Sequence, residues 1–266
     1  MATVAILGAG VMGEALLSGL RRSKNITDTI VVAERRPERA AELIAKYGID
    51  VVDNIAAAKS ADVLVLVVKP QDMAGVLKEI AGVIKSDSLV ISLAAGITTK
   101  FLEGHLPPDT AVVRVMPNTP ALVDEGMSAL SAGAHCTDAG LAKASELLGA
   151  VGKVVSVPEK YQDAVTAISG SGPAYIFYVV EAMIEAGVVL GLPRATAHDL
   201  VVQTVVGAAA MLRETGEHPT VLRENVTSPA GTTAAALREL DDHKVRAAFI
   251  TAMEAARDRS NELAGG

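Results

Sequence analysis

Short apolar runs alternate with amphipathic segments through the first 160 residues of the chain. A continuous apolar run such as residues 62–68 is typical of a strand buried on both faces of a parallel sheet. The runs that predict strands are 4–7, 29–33, 49–52, 62–68, 88–93 and 111–115, with weaker ones at 127–132 and 153–157. Helical segments are predicted between them, at 14–22, 37–47, 71–84 and 138–151. This alternation predicts an α/β fold with a Rossmann-type, mostly parallel sheet.

The pattern changes near residue 160, where proline and charged residues at 158–163 interrupt the apolar runs. Nearly all of the remaining chain has helical character, and no strand pattern of comparable strength returns. The predicted helices are 160–169, 173–190, 194–214, 232–240 and 243–263. We therefore expect two domains, an α/β domain at 1–160 and an all-helical domain at 161–266.

Two predicted helices, 174–190 and 200–212, are apolar around most of their circumference, although a surface helix needs a polar face. Glu181 and Glu185 argue against a membrane span, which requires about 20 uninterrupted apolar residues. A helical domain of this size has little material to cover both helices by itself. We predict that it forms a two-fold dimer, with small residues at 208–210 allowing close approach. The alternative is one central helix covered within a single chain.

The first apolar run ends in a glycine-rich turn, Gly8-Ala9-Gly10-Val11-Met12-Gly13, and a helix follows at once. Gly8 permits a sharp turn, Gly10 lets the backbone approach a pyrophosphate, and Gly13 lets the helix pack close to the strand. Val11 and Met12 place backbone N–H groups at the helix start, where an anion binds. The turn predicts a dinucleotide site, and its alternative is an ordinary glycine-rich turn.

Three later loops follow predicted strands and contain Val68-Lys69-Pro70, Ala95-Gly96 and Asn118. Ligands of an open parallel sheet bind outside the carboxyl ends of its strands, so these loops are candidates for cofactor binding. The alternative for each loop is a plain turn.

The end of the second predicted strand carries opposing signals for the kind of dinucleotide. Glu34 is placed to accept hydrogen bonds from a ribose 2′-hydroxyl, which favours NAD. Arg35 and Arg36 follow it, and adjacent guanidinium groups can bind a 2′-phosphate, which favours NADP. The alternative for the two arginines is an exposed charge cluster with Glu38 and Arg39.

A second motif lies at 225–233, where Thr227, Ser228, Thr232 and Thr233 surround a proline and a glycine before a helical run. Thr232 or Thr233 is expected to be the N-cap of that helix. The free N–H groups of its first turn could bind a substrate carboxylate. A plain helix cap is the alternative, although it needs only one hydroxyl.

Composition narrows the possible partners of this 266-residue chain. Its net charge is −7 and only 3% of its residues are aromatic, so no basic or stacking surface for nucleic acid is expected. Cys136 is the single cysteine, which excludes an internal disulfide and the usual cysteine-based metal sites. We expect a cytoplasmic protein without a secretory leader, because the N-terminus enters a strand without a basic or long apolar leader segment.

These segments resemble those of the pyrroline-5-carboxylate reductases over essentially the whole chain. The similar segments are GAGVMGEALLSGL, VVKPQ, SLAAGIT, RVMPNTP, AVTAISGSGPAY, GLPR and NVTSPAGTTAAALREL. The last is similar to the family's C-terminal signature. Ala230 stands where many members carry a second glycine, so we expect a slightly stiffer loop.

The resemblance implies an oxidoreductase that reduces the cyclic imine 1-pyrroline-5-carboxylate to L-proline with NAD(P)H, the last step of proline biosynthesis. It implies that Thr233 is the catalytic residue and contacts the ring nitrogen. It also implies that Ser228, Gly231 and Thr232 hold the carboxylate together with Thr233. A protonated iminium is already electrophilic, so binding and orientation suffice and no metal is expected.

For the cofactor, the resemblance implies that Asn54 lies near the adenosine ribose. Lys69, Ala95 and Asn118 are expected around the pyrophosphate and nicotinamide. The family more often uses NADPH, which favours NADP(H) and leaves NAD(H) possible. The resemblance further implies intertwined dimers in which the substrate loop of one chain meets the cofactor of the other. Such dimers commonly assemble into decamers.

Two other functions fit the sequence less well. A β-hydroxyacid dehydrogenase expects a catalytic lysine after a GxG helix start, but Ile176 stands at that position after Gly170-Ser171-Gly172. A non-catalytic NADP-sensing protein would have little need for the hydroxyl cluster at 227–233. Both are therefore disfavoured.

Overall fold

The structure is a computed structural model that describes residues 2–265. Its first part is built on one eight-stranded sheet. The strands are β1 Thr3–Leu7, β2 Thr29–Ala33, β3 Asp50–Val52, β4 Val63–Leu66, β5 Leu89–Ser92, β6 Ala111–Met116, β7 Gly126–Ala132 and β8 Gly152–Ser156. They lie in the order β3-β2-β1-β4-β5-β6-β7-β8, and only β7 runs antiparallel to the strand before it, β6. The predicted Rossmann-type, mostly parallel sheet is confirmed.

Both faces of the sheet are covered by helices, which is why its central strands are apolar without interruption. The helices of this part are α1 Val11–Arg22, α2 Pro37–Tyr47, α3 Asn54–Ser60, α4 Met73–Ile80, α5 Thr99–Glu103, α6 Asp138–Gly149 and α7 Gln162–Val165. Val4 and Ile6 of β1 pack into a core with α1, α2 and α6. Ala5 and Leu7 point to the other face and pack with α3, α4 and α5. Each fully buried Leu or Ile contributes roughly 1.5–3 kcal/mol.

The position of the ligand crevice follows from the strand order. From β1 the chain moves through β2 and β3 to one edge, and then returns to place β4 on the other side of β1, with Val4 paired to Val63. The connections after β1 and β4 therefore diverge. In open sheets of this kind, ligands bind outside the carboxyl ends of the strands at that point.

The second part of the chain is helical, as predicted. Its helices are α8 Gly172–Val189, α9 Arg194–Thr215, α10 Pro219–Asn225, α11 Thr232–Asp242 and α12 Val245–Gly265. The compact units divide between Ser171 and Gly172, and the end of α12 from Ala256 belongs to the first unit.

This division comes later than the predicted boundary at 160, and Gln162 shows the reason. Its buried amide nitrogen donates to the carbonyl of Ala129 at 3.2 Å and to the hydroxyl of Ser131 at 2.8 Å, so it is anchored to β7. The stretch after residue 160 has a helical sequence but packs as part of the first unit.

Three short helices, α3, α5 and α10, were not predicted. They are fixed by their caps rather than by a long apolar pattern. The Asp53 carboxylate accepts from the N–H of Ala56 at 2.7 Å before α3, and the Thr98 hydroxyl accepts from the N–H of Phe101 at 3.1 Å before α5. Helices of five to seven residues are too short to show amphipathic periodicity.

Two predicted helices also differ in detail. The one expected at 71–84 begins as a 3₁₀ turn at Pro70–Asp72 and continues as α4. The one expected at 160–169 consists of a 3₁₀ turn, α7 and a π-helical turn, Thr166–Gly170.

The apolar helices α8 and α9 pack on each other within the second unit. An added Cβ on Gly187 would lie 2.8 Å from the Cβ of Ala197, so the helices approach closely there. Within the described residues, neither helix is buried as a whole: Ala197 is the buried residue of α9, and α8 has none. The alternative of one central covered helix is therefore not observed. By length and composition alone, Glu159–Val189 and Arg194–Thr215 could cross a membrane.

Candidate functional site

The glycine turn lies where β1, β4 and α1 meet. Gly8 has φ +94°, and an added Cβ there would lie 2.8 Å from the carbonyl oxygen of Val67. An added Cβ on Gly13 would overlap the carbonyl oxygen of Gly8. Gly10 differs from both: within the described residues, no atom outside its own chain neighbours and helix backbone lies within 4 Å of its added Cβ. Gly8 and Gly13 are therefore required by packing, whereas Gly10 borders open space.

Helix α1 presents its N-terminus to that open space. The N–H groups of Val11, Met12 and Gly13 lie in the first turn, where a helix offers them no intrahelical partner. The N-cap, Gly10, has no side chain that could accept from them. The first intrahelical bond runs from the N–H of Glu14 to the carbonyl of Gly10 at 2.9 Å. Free N–H groups and the helix dipole together favour a phosphate group.

A charge cluster beside the turn contains residues that were not predicted for the site. Glu14 accepts hydrogen bonds from Arg39, from Lys46 at 2.8 Å and from Tyr47 at 2.9 Å. Lys46 and Arg39 lower the pKa of the Glu14 carboxyl to about 2, so it is ionised at neutral pH. Arg39 also donates to the carbonyl of Ala9 at 3.2 Å, which ties α2 to the turn.

A cleft of about 450 Å³ opens at the carboxyl ends of β2 and β3. Four predicted cofactor residues, Glu34, Arg35, Arg36 and Asn54, lie in it or at its edge. Both oxygens of Glu34 accept from Arg36 at 3.0 Å, and this pairing holds the pKa of Glu34 below its ordinary value. Glu79 of α4 also lines the cleft and pairs with Arg35 at 3.0 Å. Glu79 was missed because a charged residue on an exposed helix surface carries no sign of a site by itself.

The loops after β4 and β5 end at the same edge of the sheet as the glycine turn. In the first loop, Val68 is half-buried and its γ1 methyl lies 3.3 Å from an added Cβ on Gly8, while Lys69 and Pro70 are exposed. In the second, Ala95 is exposed and Gly96 has φ +74°, a left-handed conformation that favours glycine. The sheet thus brings the predicted cofactor residues of these loops to one side.

Asn118 is held by its neighbours rather than pointing freely into solvent. Its amide nitrogen donates to the carbonyl of Ser169 at 3.0 Å, and its amide oxygen accepts from the N–H of Met127 at 2.8 Å. Ser169 lies in the π-helical turn Thr166–Gly170, and such turns occur frequently at functional sites. Asn118 therefore fixes the loop after β6 against the start of β7 and against this turn.

The second motif forms a tight turn before α11. The N–H of Gly231 donates to the carbonyl of Ser228 at 3.0 Å, which closes a β-turn with Pro229 at its second position. Ala230 occupies the third position with φ +56°, where glycine is preferred. An added Cβ on Gly231 would overlap the hydroxyl of Ser228, so a larger residue there would displace that hydroxyl group.

The predicted N-cap of α11 was wrong. The N-cap is Gly231, which provides no side-chain hydrogen bond, and Thr232 and Thr233 are the first two helical residues. The turn at 228–231 ends at Gly231 and the helix begins at the next residue, so Gly231 rather than a threonine is the N-cap. The consequence favours ligand binding, because the N–H groups of the first turn of α11 lack a side-chain partner.

The hydroxyl groups of this motif also differ from one another. The Thr227 hydroxyl donates to the carbonyl of Arg223 at 2.6 Å and is occupied within the chain. Those of Ser228, Thr232 and Thr233 make no hydrogen bond within the part of the chain that the structure describes. Three hydroxyl groups and one open helix end can therefore receive a small anionic ligand.

The two arrangements fit the two ligands of a dinucleotide-dependent enzyme. Open space at Gly10, an uncapped α1 and a cleft at the end of β2 suit a pyrophosphate followed by an adenosine ribose. The uncapped α11 with its hydroxyl groups suits a carboxylate.

Comparison with known proteins gives a consistent family. A family model described as pyrroline-5-carboxylate reductase dimerisation matches residues 159–263, and one described as NADP oxidoreductase, coenzyme F420-dependent, matches residues 3–96. The pyrroline-5-carboxylate reductase of Corynebacterium melassecola is 49% identical over 267 residues, which cover 99% of each chain.

Solved structures agree with the sequence relatives. A pyrroline-5-carboxylate reductase from Coxiella burnetii superposes with a TM-score of 0.93 at 38% identity, covering 98% of each chain. The NADP-bound pyrroline carboxylate reductase of Plasmodium falciparum superposes with a TM-score of 0.88 at 29% identity, covering 99% of this chain and 98% of the other.

The contrast between Gly10 and Gly13 gives a first prediction. Gly13→Ala should lower the free energy of unfolding by roughly 1–3 kcal/mol, because its methyl group collides with the backbone at Gly8. Gly10→Ala should change it by less than about 0.5 kcal/mol, but should weaken NADP⁺ binding at least about tenfold. Denaturant unfolding and calorimetric titration measure the two effects. Equal destabilisation by both variants, or unchanged NADP⁺ binding by Gly10→Ala, would contradict it.

The left-handed Ala230 gives a second prediction. Ala230→Gly should raise the free energy of unfolding by about 0.5 kcal/mol, since relief of about 1–2 kcal/mol of backbone strain exceeds the added entropy of the unfolded chain. Ala235→Gly, inside α11, is the control and should lower it by about 1 kcal/mol. Urea unfolding distinguishes these results. Equal losses for both variants would show that Ala230 is not strained.

Proposed function

The chain belongs to the pyrroline-5-carboxylate reductase family, and from that premise we propose how its residues reduce 1-pyrroline-5-carboxylate to L-proline with NAD(P)H. The enzyme is an oxidoreductase of proline biosynthesis. The observation that carries the proposed residue roles is the uncapped N-terminus of α11, with Ser228 and two threonines around it.

In this proposal the two parts of the chain, which meet where the sequence pattern changes, have different roles. Residues 1–160 bind the dinucleotide, and residues 161–266 supply the dimer surface and the substrate loop. When bound, the reduced nicotinamide supplies a hydride. The chain itself has to bind both ligands, orient them and satisfy the charges of the substrate.

The glycine turn and the loops at the sheet edge hold the dinucleotide. Backbone N–H groups of Val11, Met12 and Gly13 bind the pyrophosphate at the start of α1. Asn54 and the residues after β2 bind the adenosine ribose. The loops with Val68-Lys69-Pro70, with Ala95-Gly96 and with Asn118 surround the rest of the cofactor. NADP(H) is the preferred cofactor in this proposal, and NAD(H) is also accepted.

The substrate loop binds the carboxylate and the ring nitrogen. Ser228, Gly231 and Thr232 hold the carboxylate through a hydroxyl group and the free N–H groups of the first turn of α11. Thr233, half-buried one residue further along, is the hydrogen-bond partner of the ring nitrogen. A hydroxyl group suffices there because the protonated imine is already electrophilic.

An assay of the purified protein with 1-pyrroline-5-carboxylate and either NADPH or NADH tests this proposal. Thr233→Val removes the hydroxyl group while retaining the shape of the side chain, so we expect kcat to fall about 10²-fold. The Kd for NADPH should stay within about twofold, because Thr233 does not bind the cofactor in this proposal.

Thr233→Ser is the matched variant, since it retains the hydroxyl group and should retain most of the activity. Absence of oxidation of either cofactor by the wild-type enzyme would overturn the proposed function. Equal losses in Thr233→Val and Thr233→Ser would overturn the role of the hydroxyl group alone.

The exposed apolar helices support self-association. Large apolar side chains of α8 and α9 and of the turn between them are exposed, and we call them the apolar helical surface. These side chains are Ile176, Phe177, Val189, Leu190, Leu200 and Val206. Exposed apolar side chains in this number favour an interaction with another molecule, and the dimerisation model matches this part of the chain. We propose that a second copy covers it, and that dimers assemble further into a decamer.

Association between copies is favoured over insertion into a membrane. Glu185 of α8 forms an ion pair with Arg194 of α9 at 3.3 Å, and charged pairs are costly inside a bilayer. We propose a cytoplasmic location, where the single thiol of Cys136 stays reduced; burial raises the pKa of that thiol and keeps it protonated.

The dimer proposal predicts the effect of a charge on the apolar helical surface. Val206 is 56% exposed, so Val206→Arg should leave the folding of one chain intact but shift the measured mass from a multiple of the dimer toward the monomer. Ser86→Arg, in an exposed loop of the first unit, is the control and should leave the mass unchanged. Sedimentation velocity measures the mass of each variant. An unchanged mass for Val206→Arg would contradict this interface.

A further inference from the structure

The cleft at the carboxyl ends of β2 and β3 pairs each of its two arginines with a carboxylate. Arg36 donates to both oxygens of Glu34 at 3.0 Å. Arg35 donates to one oxygen of Glu79 at 3.0 Å. Each of these two pairs is without net charge, and Asp53, which also lines the cleft, adds a further carboxylate.

Glu79 does more than neutralise Arg35. The same oxygen, Oε2, also accepts from the amide nitrogen of Asn54 at 2.8 Å. Asn54 is 6% exposed, and it is the first residue of α3. A single carboxylate oxygen on α4 therefore fixes the residue proposed to meet the adenosine ribose together with the arginine proposed to meet a 2′-phosphate.

The exposures show which partner of each pair can move. The arginine side chains are 69% and 65% exposed for Arg35 and Arg36, whereas the carboxylates are 34% and 6% exposed for Glu79 and Glu34. The guanidinium groups lie outside and the carboxylates lie beneath them. An arginine can turn toward a ligand at little desolvation cost, but the carboxylate stays behind.

A carboxylate that keeps its position in the cleft repels the 2′-phosphate of a bound dinucleotide. A 2′-phosphate placed between the arginines would be attracted by two cations and repelled by two nearby carboxylates. A ribose with a free 2′-hydroxyl feels no such repulsion and gains an acceptor for its proton. The arrangement therefore reduces the difference in affinity between phosphorylated and unphosphorylated cofactors.

We propose that Glu79 is a specificity-determining residue: by engaging Arg35 and holding Asn54, it limits the preference for a 2′-phosphorylated dinucleotide and keeps NAD(H) usable. The inference rests on the proposed binding of the adenosine ribose in this cleft. It extends that proposal by assigning the balance between the two cofactors to a residue on α4.

Binding of NADP⁺ and NAD⁺ measures this directly, since the two differ only in the 2′-phosphate. Glu79→Gln removes the charge and retains an acceptor oxygen for Asn54. We expect the ratio of the Kd for NAD⁺ to the Kd for NADP⁺ to rise about three- to tenfold, as measured by calorimetric titration of the full-length protein. The gain should shrink at high salt, because it is electrostatic.

A control and a double variant show the route of the effect. Glu146→Gln on α6 removes the same charge from another surface ion pair and should leave the ratio unchanged. Arg35→Gln should lower the ratio, and adding Glu79→Gln to it should raise the ratio less than Glu79→Gln does when Arg35 is present, because only the direct repulsion of the phosphate is then relieved. Thermal unfolding of each variant confirms that it is folded.

An unchanged ratio in folded Glu79→Gln would overturn the inference. A gain of the same size without Arg35 would overturn the proposed action through Arg35. Both results leave the reductase function intact if the wild-type enzyme oxidises NADPH with the pyrroline substrate. Binding of neither dinucleotide by the wild-type protein would overturn this inference and the proposed function together.

Discussion

The close approach of α1 to β1 is the constraint on which the rest of the nucleotide-binding part depends. Gly8 and Gly13 have no room for a Cβ, because backbone atoms of Val67 and of Gly8 itself occupy that space. This contact places the start of α1 directly at the point where the connections of β1 and β4 diverge. The free N–H groups of α1 are thereby aimed at the crevice of the sheet. Gly10 borders open space that a ligand can occupy, and it has this position because Gly8 and Gly13 allow α1 to pack closely on β1.

Around this frame, three carboxylates are each paired with cations. Glu14 holds Arg39 and Lys46 beside the glycine turn, Glu34 holds Arg36, and Glu79 holds Arg35. Pairing keeps the cations in place without creating a strongly positive pocket. In the proposed binding mode, the helix N–H groups supply much of the attraction for the pyrophosphate, and the paired charges adjust which dinucleotide is favoured.

The helical part contains the exposed apolar helices α8 and α9 and a tight loop that precedes the uncapped helix α11. Gly187 brings α8 close to Ala197 of α9, while Phe177 and Val206 remain more than half exposed. The loop before α11 combines a left-handed Ala230 with a Gly231 that leaves the helix end free. Strain of this kind persists only when surrounding structure over-determines it, which is consistent with a loop held for ligand binding.

The sequence by itself determined the sheet, the helical second part, the glycine turn and the loop at 225–233. These features are local: a buried strand, a glycine turn or a proline-containing loop is encoded within a few neighbouring residues. It did not determine the short helices α3, α5 and α10, which depend on caps rather than periodicity. Only the tertiary structure decided that Gly231 caps α11, that Asn118 bridges to the π-helical turn, and that Glu79 lies between Arg35 and Asn54. Glu79 is separated from these two residues by 44 and 25 positions in sequence, and the packing of α3 and α4 on the sheet is what brings their charges together.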